Sequence, residues 1–406
     1  MYLASVGPLR TPLRRLPGNV PGNVLALGIV SLVTDVSAEM VTAILPLYLV
    51  FGLGLNPLQF GLLDGLYAGA TAVLRLAGGH VADRYRRLKA VAGVGYALSA
   101  VAKLGFLAAG SSVPAIGAVL AIDRAGKGIR TAPRDALISL SSDPATMGRS
   151  FGVHRALDTV GAFLGPLVAT LVLWASLNDY NSVFVTSFAL AATAVILLTA
   201  FVRDHSPHTP PARPVGRMQA LALLRDAAFR RSCIWAAVLG LFTITDSFVY
   251  LAVQRRWDLD AGLFPLLPLG TAGTFLLLAI PLGRLGDRIG RWKVFLGGHL
   301  ALVLALLVVS GPLGSWWLVL ALHGAFYAAT DGVLPAAVGP LLPEHLRASG
   351  LAVLQTGQAL ARMAAAVTVG LLWTLWDLRP AMLTFTAGLL VVTLAAAVFK
   401  PLEVRR

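Results

Sequence analysis

Charged residues and cysteine are both scarce in this chain of 406 residues. Only 13% of the residues are charged, about half of what soluble domains carry, while 57% are hydrophobic. This balance excludes an ordinary water-soluble enzyme and indicates helices surrounded by lipid. The single cysteine, Cys233, excludes an internal disulfide and any zinc or iron–sulfur site built on several cysteines.

Catalytic and nucleotide-binding motifs are also missing. The chain has no Gly-x4-Gly-Lys-Ser/Thr loop for ATP, no His-Glu-x-x-His metal motif and no serine nucleophile elbow. The pair formed by His205 and His208 is too small a cluster for a metal site. We therefore expect neither an enzyme nor a bound metal or other cofactor.

Long apolar runs dominate what is present. A bilayer core of about 30 Å requires about 20 apolar residues per helix, and twelve such runs are separated by Gly, Pro, Asn or charge clusters. They cover residues 23–51, 58–82, 89–110, 114–137, 149–175, 181–203, 230–253, 262–285, 292–311, 315–340, 347–376 and 380–400. The sequence therefore predicts an all-α membrane protein with twelve transmembrane helices.

Polar segments divide these helices into two groups of six. Residues 1–22 carry three arginines, and we interpret them as a cytoplasmic tail before an uncleaved first helix. Residues 204–229, rich in Pro and Arg, form the longest polar stretch and lie at the middle of the chain. We predict six-helix halves at 23–203 and 230–400, joined by this cytoplasmic linker, and a cytoplasmic tail at 401–406.

The net charge of +14 is distributed unevenly along the chain. If both termini are cytoplasmic, the loops on that side hold 23 of the 33 lysines and arginines, whereas the opposite loops hold only Arg255, Arg256 and Arg379. This bias is the positive-inside pattern, so we expect a multi-pass protein of the cytoplasmic (inner) membrane with both termini in the cytoplasm. Because the bases follow the topology, the same distribution argues against a nucleic-acid partner.

Two pairs of similar segments indicate that the halves are repeats. Leu32–Asp35 in the first run is matched by Thr243–Asp246 in the seventh, 211 residues later. GHVADRYRRLK at 79–89 is matched by GRLGDRIGRWK at 283–293, 204 residues later. Nearly equal offsets indicate a duplication, and parallel repeats of this kind place a substrate site between the halves, near the middle of the membrane.

Glycine, aspartate and arginine recur at fixed spacing in both of these loops. The residues are Gly79, Asp83, Arg84 and Arg87 in the first copy and Gly283, Asp287, Arg288 and Arg291 in the second. In this pattern the chain resembles the major facilitator superfamily, and the resemblance covers essentially all of it. It implies a twelve-helix transporter with these loops as a cytoplasmic gate, in which glycine permits close helix approach and aspartate pairs with bases across the bundle. The alternative is that the loop charges only hold the orientation.

The fourth run carries a second motif of that superfamily. Leu120, Arg124, Lys127 and Gly128 resemble its helix-4 motif, although Lys127 stands where glutamine is commoner. In the family, the arginine of this motif is associated with proton coupling. The resemblance therefore implies a coupling role for Arg124.

Glycines of the fifth run resemble a motif of one branch of the superfamily. Gly152, Gly161, Gly165 and Pro166 follow the spacing of the drug:proton antiporters, which export their substrates, although the closing Gly-Gly is absent. We expect the small residues to let this helix press against a helix of the other half, and the proline to bend it. The alternative is the small-residue packing that is common in any membrane bundle.

Ionisable residues inside the predicted helices are functional candidates, because charge is costly at membrane depth. Asp35 and Glu39 are four residues apart and share one face of the first helix. Two close carboxylates in a low dielectric cannot both ionise cheaply, so we expect one of them to be protonated near neutral pH, as a proton carrier requires. The alternative is a static salt bridge.

Basic residues line one face of the fourth helix. Lys127, Arg130 and Arg134 share this face with Asp123 at a spacing of three or four residues, so the face must meet acidic groups or an anionic ligand rather than lipid. The available acidic partners are Asp35, Glu39, Asp64 and Asp158. Eight acids stand against seven bases inside the helices, and mutual pairing is thus the cheapest arrangement.

Other polar residues complete the candidate sites. His154 and Asp158, four residues apart, suit a proton relay, although a structural histidine is the simpler interpretation. We predict a substrate cavity lined by Lys127, Arg130, Asp246, Tyr327, Asp331, Gln355, Gln358 and Arg362. The two glutamines and Arg362 share a face of the eleventh helix, and the alternative is that they join helices to each other.

Together these features predict a monomeric secondary transporter that works by alternating access and exchanges protons for an exported small molecule across the lipid bilayer. The residues predicted to couple transport to protons are Asp35, Glu39, Arg124, His154 and Asp158. Two other functions fit the same sequence: a proton-coupled uptake symporter for an anionic solute, and a membrane scaffold that transports nothing.

Overall fold

The computed structural model describes residues 20–67, 69–70, 87–143, 147–204, 222–312, 314–343 and 346–399. These residues form α-helices joined by short turns, with no β-strand among them. The helices are α1 (Gly22–Leu47), α2 (57–67), α3 (Leu88–Ala109), α4 (Val113–Ser141), α5 (Met147–Ala175), α6 (Tyr180–Phe201), α7 (Ala227–Leu241), α8 (Asp246–Trp257), α9 (Leu267–Ile289), α10 (Arg291–Ser310), α11 (Trp316–Thr330), α12 (Val333–Val338), α13 (Arg347–Trp376) and α14 (Leu378–Val398).

The helices account for the predicted transmembrane spans. In the described part of the chain, ten spans are long and apolar enough to cross a membrane, and in two of these a helix pair, α7 with α8 or α11 with α12, forms one span. The fourth span, α4, is not among the ten because it carries six charged residues, and the second, α2, is described only in part. The predicted all-α membrane fold is confirmed.

The seventh and tenth spans are interrupted, whereas we predicted continuous helices at 230–253 and 315–340. Helix α7 ends at Leu241 and α8 begins at Asp246, because Thr243, Ile244 and Thr245 are consecutive β-branched residues that disfavour helix. The tenth span breaks at 331–332, four residues ahead of a proline that cannot donate the backbone hydrogen bond a continuous helix requires.

Side-chain caps fix several helix starts. Ser112 accepts a hydrogen bond from the backbone N–H of Ala115 at the start of α4. Asp179 accepts from the backbone N–H groups of Asn181 and Ser182 at the start of α6. Each cap satisfies N–H groups that have no partner inside the helix, so the boundary is defined by the residue before it.

The two ends of the described chain lie on one face of the bundle. Asn23, at the start of α1, donates its side-chain amide to Ser141 Oγ at the end of α4, 2.7 Å away, and accepts from the backbone of Arg203 after α6. The Trp235 indole in α7 donates to the carbonyl of Phe399, after α14, at 3.0 Å. The described chain therefore starts and ends on the same side, as an even number of crossings requires.

Helix packing repeats between the two halves. In the first half α3 packs against α4 and α6, and α1 packs against α5. In the second half the corresponding helices do the same, because α10 packs against α11 and α14, and α7 packs against α13. This correspondence confirms the predicted architecture of two pseudo-symmetric six-helix halves.

Close contacts between the halves lie toward the face opposite the termini. A Cβ atom added to Gly61 of α2 would be 2.5 Å from the carbonyl oxygen of Ala366 of α13. Near them, the backbone N–H of Leu58 donates to Thr374 Oγ1 at 3.0 Å. The larger apolar core runs through both halves, whereas a smaller core toward the termini belongs to the first half alone. The described halves are thus joined mainly at one face.

Several predicted features lie outside the described residues. They include residues 1–19 of the N-terminal tail, 205–221 of the linker, the C-terminal tail at 401–406, and Gly79, Asp83 and Arg84 of the first loop motif. Arg87 of that motif is described and is exposed immediately before α3.

Candidate functional site

A cavity of about 440 Å³ lies between the two halves. From the first half it is lined by Glu39, Asp64, Tyr67, Arg124, Lys127 and Pro166, and from the second half by Thr243–Ser247, Tyr250, Phe264, Tyr327 and Arg362. Both α1 and the interrupted seventh span contribute to its wall. Of the two repeated segments, Leu32–Asp35 lies in α1, whereas Thr243–Asp246 covers the break in the seventh span and lines the cavity itself.

The α5 glycines position the α1 carboxylates. A Cβ atom on Gly161 would be 2.6 Å from the Leu32 carbonyl oxygen and 3.1 Å from the Asp35 Cβ, and one on Gly165 would be 2.6 Å from the Glu39 Cβ. These glycines therefore pack against α1 of the same half, and our expectation of contact with the other half is wrong for them. Two small residues four apart let the α1 backbone approach α5 along one ridge. No described atom lies within 4 Å of a Cβ on Gly152.

Glu39 and Lys127 are an acid and a base in the first-half wall of the cavity. They come from α1 and α4 respectively. Among the described residues neither has a hydrogen bond or an ion pair within 4 Å. The predicted carboxylate and the predicted cavity lysine are thus both available to a solute in the cavity.

Arg124 belongs to a buried ionic cluster next to the cavity. Its guanidinium pairs with Asp123 Oδ2, with the Nε atom 3.1 Å away, and lies 4.0 Å from the centre of the Tyr67 ring. Asp123 Oδ1 also accepts a hydrogen bond from Ser99 at 2.5 Å and lies 3.4 Å from Lys103 Nζ. The acid nearest to Arg124 is therefore its neighbour on α4, a partner we did not predict.

Arg130 does not occupy the position we predicted for it. It is 3% exposed, its guanidinium lies 4.7 Å from the centre of the Tyr96 ring, and its Nη2 atom is 3.8 Å from Asp35 Oδ1. A Cβ atom on Gly95 would be 2.8 Å from the Arg130 backbone nitrogen, which shows how closely α3 and α4 approach here. Arg130 thus packs between α3 and α1, because the tight α3–α4 contact places its side chain inside the first half.

Arg134, His154 and Asp158 form a second polar cluster in the first half. Arg134 Nη2 is 2.9 Å from Asp135 Oδ1, and Arg134 Nη1 is 4.0 Å from Asp158 Oδ2. His154 Nε2 lies 3.6 Å from the same Asp158 oxygen, yet neither ring nitrogen has a hydrogen-bond partner among the described residues. The predicted pair is close in space, but its geometry is not that of a formed proton relay.

Asp246 is the centre of the polar groups in the second half. The Tyr327 hydroxyl donates to Asp246 Oδ1, and His323 Nε2 lies 3.4 Å from the same oxygen without hydrogen-bonding geometry. The preceding residue, Thr245, donates its hydroxyl to Asp64 Oδ2 of the first half at 2.5 Å. We expected Asp64 to meet the basic face of α4, but its carboxylate instead accepts a hydrogen bond from the residue before α8, across the interface between the halves.

A second cavity of about 770 Å³ lies closer to the face that carries the termini. Its wall includes Asp331, Gln355, Gln358 and Arg362, all predicted to line a substrate cavity. Arg362 borders both cavities, and its Nε atom has no hydrogen-bond partner in the described part of the chain. Of the second-half residues predicted to line one substrate cavity, Asp246 and Tyr327 therefore line the smaller cavity, and Asp331, Gln355 and Gln358 line the larger one. Arg362 lines both.

Among the described residues, the second loop motif makes its contacts within the second half. Arg291 binds Asp287 Oδ1 through Nε at 3.0 Å and Nη2 at 2.8 Å, and donates from Nη1 to the Ala336 carbonyl at 2.6 Å. These contacts stay inside the second half, and Arg288 is exposed. No described atom lies within 4 Å of a Cβ on Gly283, so the close approach we expected there is absent among the described residues. The partners that the structure describes for this motif therefore all belong to the second half, and the corresponding first-half loop at 71–86 lies outside the described residues.

Sequence reasoning missed several residues at the cavity walls. Arg155 of α5 and His299 of α10 line the larger cavity, while Tyr67 and Tyr250 line the smaller one. Aromatic residues carry no periodic signal that separates a cavity wall from a core. For Arg155 the available signal was its charge inside a predicted membrane helix, where charge is costly.

Comparisons with known proteins agree with this architecture. The family model described as Major Facilitator Superfamily matches residues 27–278 and 269–406. An uncharacterised MFS-type transporter of Methanocaldococcus jannaschii is 30% identical over 363 residues, which is 86% of this chain and 88% of that protein.

Solved structures show the same fold at low identity. A point mutant of the nucleoside transporter NupG has a TM-score of 0.80 at 18% identity, over 93% of this chain and 100% of that one. A POT family transporter in complex with 5-aminolevulinic acid has a TM-score of 0.75 at 14% identity, over 95% and 98%. The match of the family model to almost the whole chain, together with this fold, shows that the protein belongs to the Major Facilitator Superfamily of membrane transporters.

Proposed function

We propose that the protein is a proton-coupled secondary transporter that exports a small molecule by alternating access. The observation that carries this proposal is the cavity between the halves, which Glu39 and Lys127 line from the first half. Next to it, Asp35 lies 3.8 Å from Arg130. Ionisable groups on α1 and α4 thus connect the solute space to the inside of the first half.

Protonation of the α1 carboxylates provides the coupling. A proton on Asp35 removes the negative charge opposite Arg130, and a proton on Glu39 does the same opposite Lys127. Either change alters how α1 and α4 attract each other and therefore the relative free energy of two arrangements of the halves. The predicted units at 23–203 and 230–400 move as rigid bodies relative to each other. In the alternative arrangement they separate at the contact between α2 and α13.

Antiport and export are the direction we favour. Glu39 lines the solute space, so a solute and a proton compete for one carboxylate, which is the requirement for exchange. The α5 glycines, which resemble those of exporters, pack directly against α1 beside both carboxylates. We infer that this contact transmits the protonation state of α1 to the movement of α5.

Uptake of an anionic solute together with protons is the second candidate. Lys127 favours it, because this base faces the cavity without an ion pair in the described part of the chain. Arg130 and Arg134 weaken it, because each lies within 4.0 Å of a carboxylate. The two candidates differ in the direction of solute flux relative to proton flux. Solute and proton move in opposite directions in antiport and in the same direction in symport.

The test is flux in proteoliposomes with an imposed pH gradient and a panel of anionic, cationic and neutral compounds. We expect Asp35→Asn and Glu39→Gln to lose gradient-driven transport while they retain exchange of labelled for unlabelled solute, which needs no net proton movement. Arg124→Ala should lose gradient-driven transport as well. Asp258→Asn is the control, because Asp258 is an exposed loop carboxylate whose left-handed φ of 47° asparagine also adopts.

Each remaining outcome decides between the functions. Full gradient-driven transport by both Asp35→Asn and Arg124→Ala would remove proton coupling from these residues. Solute and protons entering together would establish symport, and absence of flux for every compound would favour a scaffold.

A further inference from the structure

Three arginines converge at the face opposite the chain termini. Arg255 and Arg256 are at the end of α8, and Arg379 is at the start of α14. They line one pocket of about 280 Å³ together with Asp377 and Ser310. These three are the bases that the sequence assigns to the loops of this face, so the few positive charges on this side are gathered at one place.

The pocket has an excess of positive charge. Arg255 Nη2 lies 3.7 Å from Asp377 Oδ1, in an exposed pair. Arg256 uses Nη1 to donate to the Val309 carbonyl at 2.8 Å. Arg379 has no hydrogen bond or ion pair among the described residues. One carboxylate therefore faces three guanidinium groups, and an anion would complete the charge balance of the pocket.

A buried hydroxyl points to the same kind of ligand. Ser310, at the end of α10, is 7% exposed, and its Oγ atom has no hydrogen-bond partner in the described part of the chain. It lines the pocket with the arginines. Buried polar atoms normally have partners, so this hydroxyl is a donor available to an oxyanion.

The pocket lies at the depth of lipid headgroups. Four membrane spans have their ends around it: Ala227–Trp257, Arg291–Ser310 and Ser349–Trp376 end there, and Leu378–Val398 begins there. Span ends mark the membrane–water interface, where tryptophan and arginine are favoured. An anion bound at this depth is adjacent to the phosphate layer of the bilayer.

An apolar cavity of about 290 Å³ adjoins the pocket and shares Arg255 with it. Its walls come from both halves and include Val50, Phe60, Phe248 and Trp373. The Trp373 indole Nε1 atom is buried and has no hydrogen-bond partner among the described residues. Side by side, the two cavities offer a cationic end and an apolar end, which is the polarity of a phospholipid.

We propose that these two cavities bind one glycerophospholipid with an anionic headgroup, taken from the leaflet on this face. Its phosphate binds Arg256, Arg379 and the Ser310 hydroxyl, and an acyl chain enters the apolar cavity. A free phosphate ion would leave the apolar cavity unused. Because that cavity has walls from both halves, the bound lipid stabilises their contact and favours the arrangement closed on this face.

The experiment measures lipid binding to the full chain in detergent, by thermal unfolding and by native mass spectrometry. The probes are dioctanoyl phosphatidylglycerol, dioctanoyl phosphatidylcholine and inorganic phosphate. We expect the first to bind one to one and raise the unfolding temperature. Arg379→Gln should require roughly tenfold more of this lipid, because one charge-assisted hydrogen bond is lost. Ser310→Ala should weaken binding less.

Two further variants separate this site from general attraction. Arg231→Gln removes an exposed arginine on the other face and should leave binding unchanged. Val50→Phe narrows the apolar cavity and should weaken lipid binding, with all arginines present. Equal losses in Arg379→Gln and Arg231→Gln would overturn the proposal, as would equal binding of phosphatidylcholine. Stabilisation by inorganic phosphate as large as that by phosphatidylglycerol would replace the lipid with a free anion.

Discussion

Gly165 of α5 lies so close to Glu39 of α1 that a Cβ atom added to the glycine would be 2.6 Å from the Cβ of the glutamate. The same added atom would be 2.9 Å from the Val36 carbonyl oxygen. The missing side chain on one helix therefore sets the position of a carboxylate on another. This relationship connects the glycine motif of the sequence to the ionisable wall of the cavity.

Substitution of Gly165 by alanine should separate α1 from α5. The backbone atoms that the new methyl group meets cannot rotate away, so we expect Gly165→Ala to destabilise the protein by about 1–3 kcal/mol and to reduce transport. Gly152→Ala, on the same helix with open space around it, should leave the unfolding temperature unchanged or slightly raised, because alanine favours helix. Thermal unfolding in detergent compares the two; equal effects would show that helix α5 tolerates the methyl group at both positions.

Loss of the contact between Asp64 and Thr245 should open the face opposite the termini. Thr245→Val keeps the shape but removes the hydroxyl that donates to Asp64 at 2.5 Å, and Asp64→Asn removes the charge of the acceptor. We expect each substitution to shift the equilibrium between the arrangement closed on this face and the arrangement open on it by about 1 kcal/mol, or roughly fivefold, toward the open one.

The measurement is labelling of Ala43→Cys by an impermeant maleimide in a Cys233→Ser background. Ala43 is in the wall of the cavity of about 440 Å³ between the halves. Labelling from that face should increase in both variants. Thr368→Val is the matched control, since the Thr368 hydroxyl donates only to Ala364 of its own helix. No increase over this control would mean that the hydrogen bond does not hold the halves together.

Neutralising Asp123 should destabilise the first half. Asp123→Asn leaves Lys103 and Arg124 buried without their common carboxylate, and such a loss costs about 3–5 kcal/mol. The double variant Lys103→Met with Asp123→Asn should be less destabilised than the sum of the single variants, because one unpaired charge is removed with its partner. Asp331→Asn, at an exposed carboxylate, is the comparison for unfolding; a similar small effect at both aspartates would contradict the buried cluster.

The cap of α6 predicts a pH effect outside the membrane. The pKa of Asp179 is held below its ordinary value of 3.8 by hydrogen bonds from the Ser182 hydroxyl and from the backbone N–H groups of Ser182 and Asn181. A lowered pKa means that the ionised carboxylate stabilises the folded state. This stabilisation is fully present above pH 3.8 and is lost as the pH falls through the lower, folded pKa.

Asp179→Ala should therefore lower stability by about 1 kcal/mol at pH 7, the usual effect of losing an N-cap. The difference in stability between this variant and the wild type should shrink as the pH falls from 3.8 through the lower, folded pKa, because the wild-type cap becomes protonated over this range. Thermal unfolding at pH 7 and at the lowest pH the protein tolerates measures the difference. A difference that grows in acid would show that the carboxylate does not act as an ionised cap.

Much of the fold could be predicted because it follows from local composition. Apolar runs such as 181–203, with their polar boundaries, are sufficient to predict membrane helices, since each helix satisfies its own backbone in lipid. The breaks at Thr243–Thr245 and 331–332 were missed. At both places the apolar run continues past the break. Whether the helix continues depends on the β-branched residues or the proline at that point and on how the neighbouring helices pack there.

For the candidate site, the sequence could identify polar residues that cannot face lipid, but not the neighbours of each one. Lys127, Asp246 and Tyr327, predicted to line a substrate cavity, and Glu39, predicted to couple protons, lie in the wall of the cavity between the halves. Their roles stay predictions. Arg130 could equally have faced the cavity, and only the close α3–α4 contact places it inside the first half. Helical spacing assigns a residue to a face, but it does not say which neighbouring helix covers that face.

The sequence by itself determined the class of protein, the number of spans, the duplication and the family, because these depend on composition, periodicity and motif spacing along one chain. Only the tertiary structure decided that Gly165 meets Glu39 on α1 and that Asp64 accepts a hydrogen bond from Thr245 of the other half. It alone brought Arg255, Arg256 and Arg379 to one pocket. The physical reason is that these contacts join segments far apart in the chain, and their distances depend on how whole helices pack.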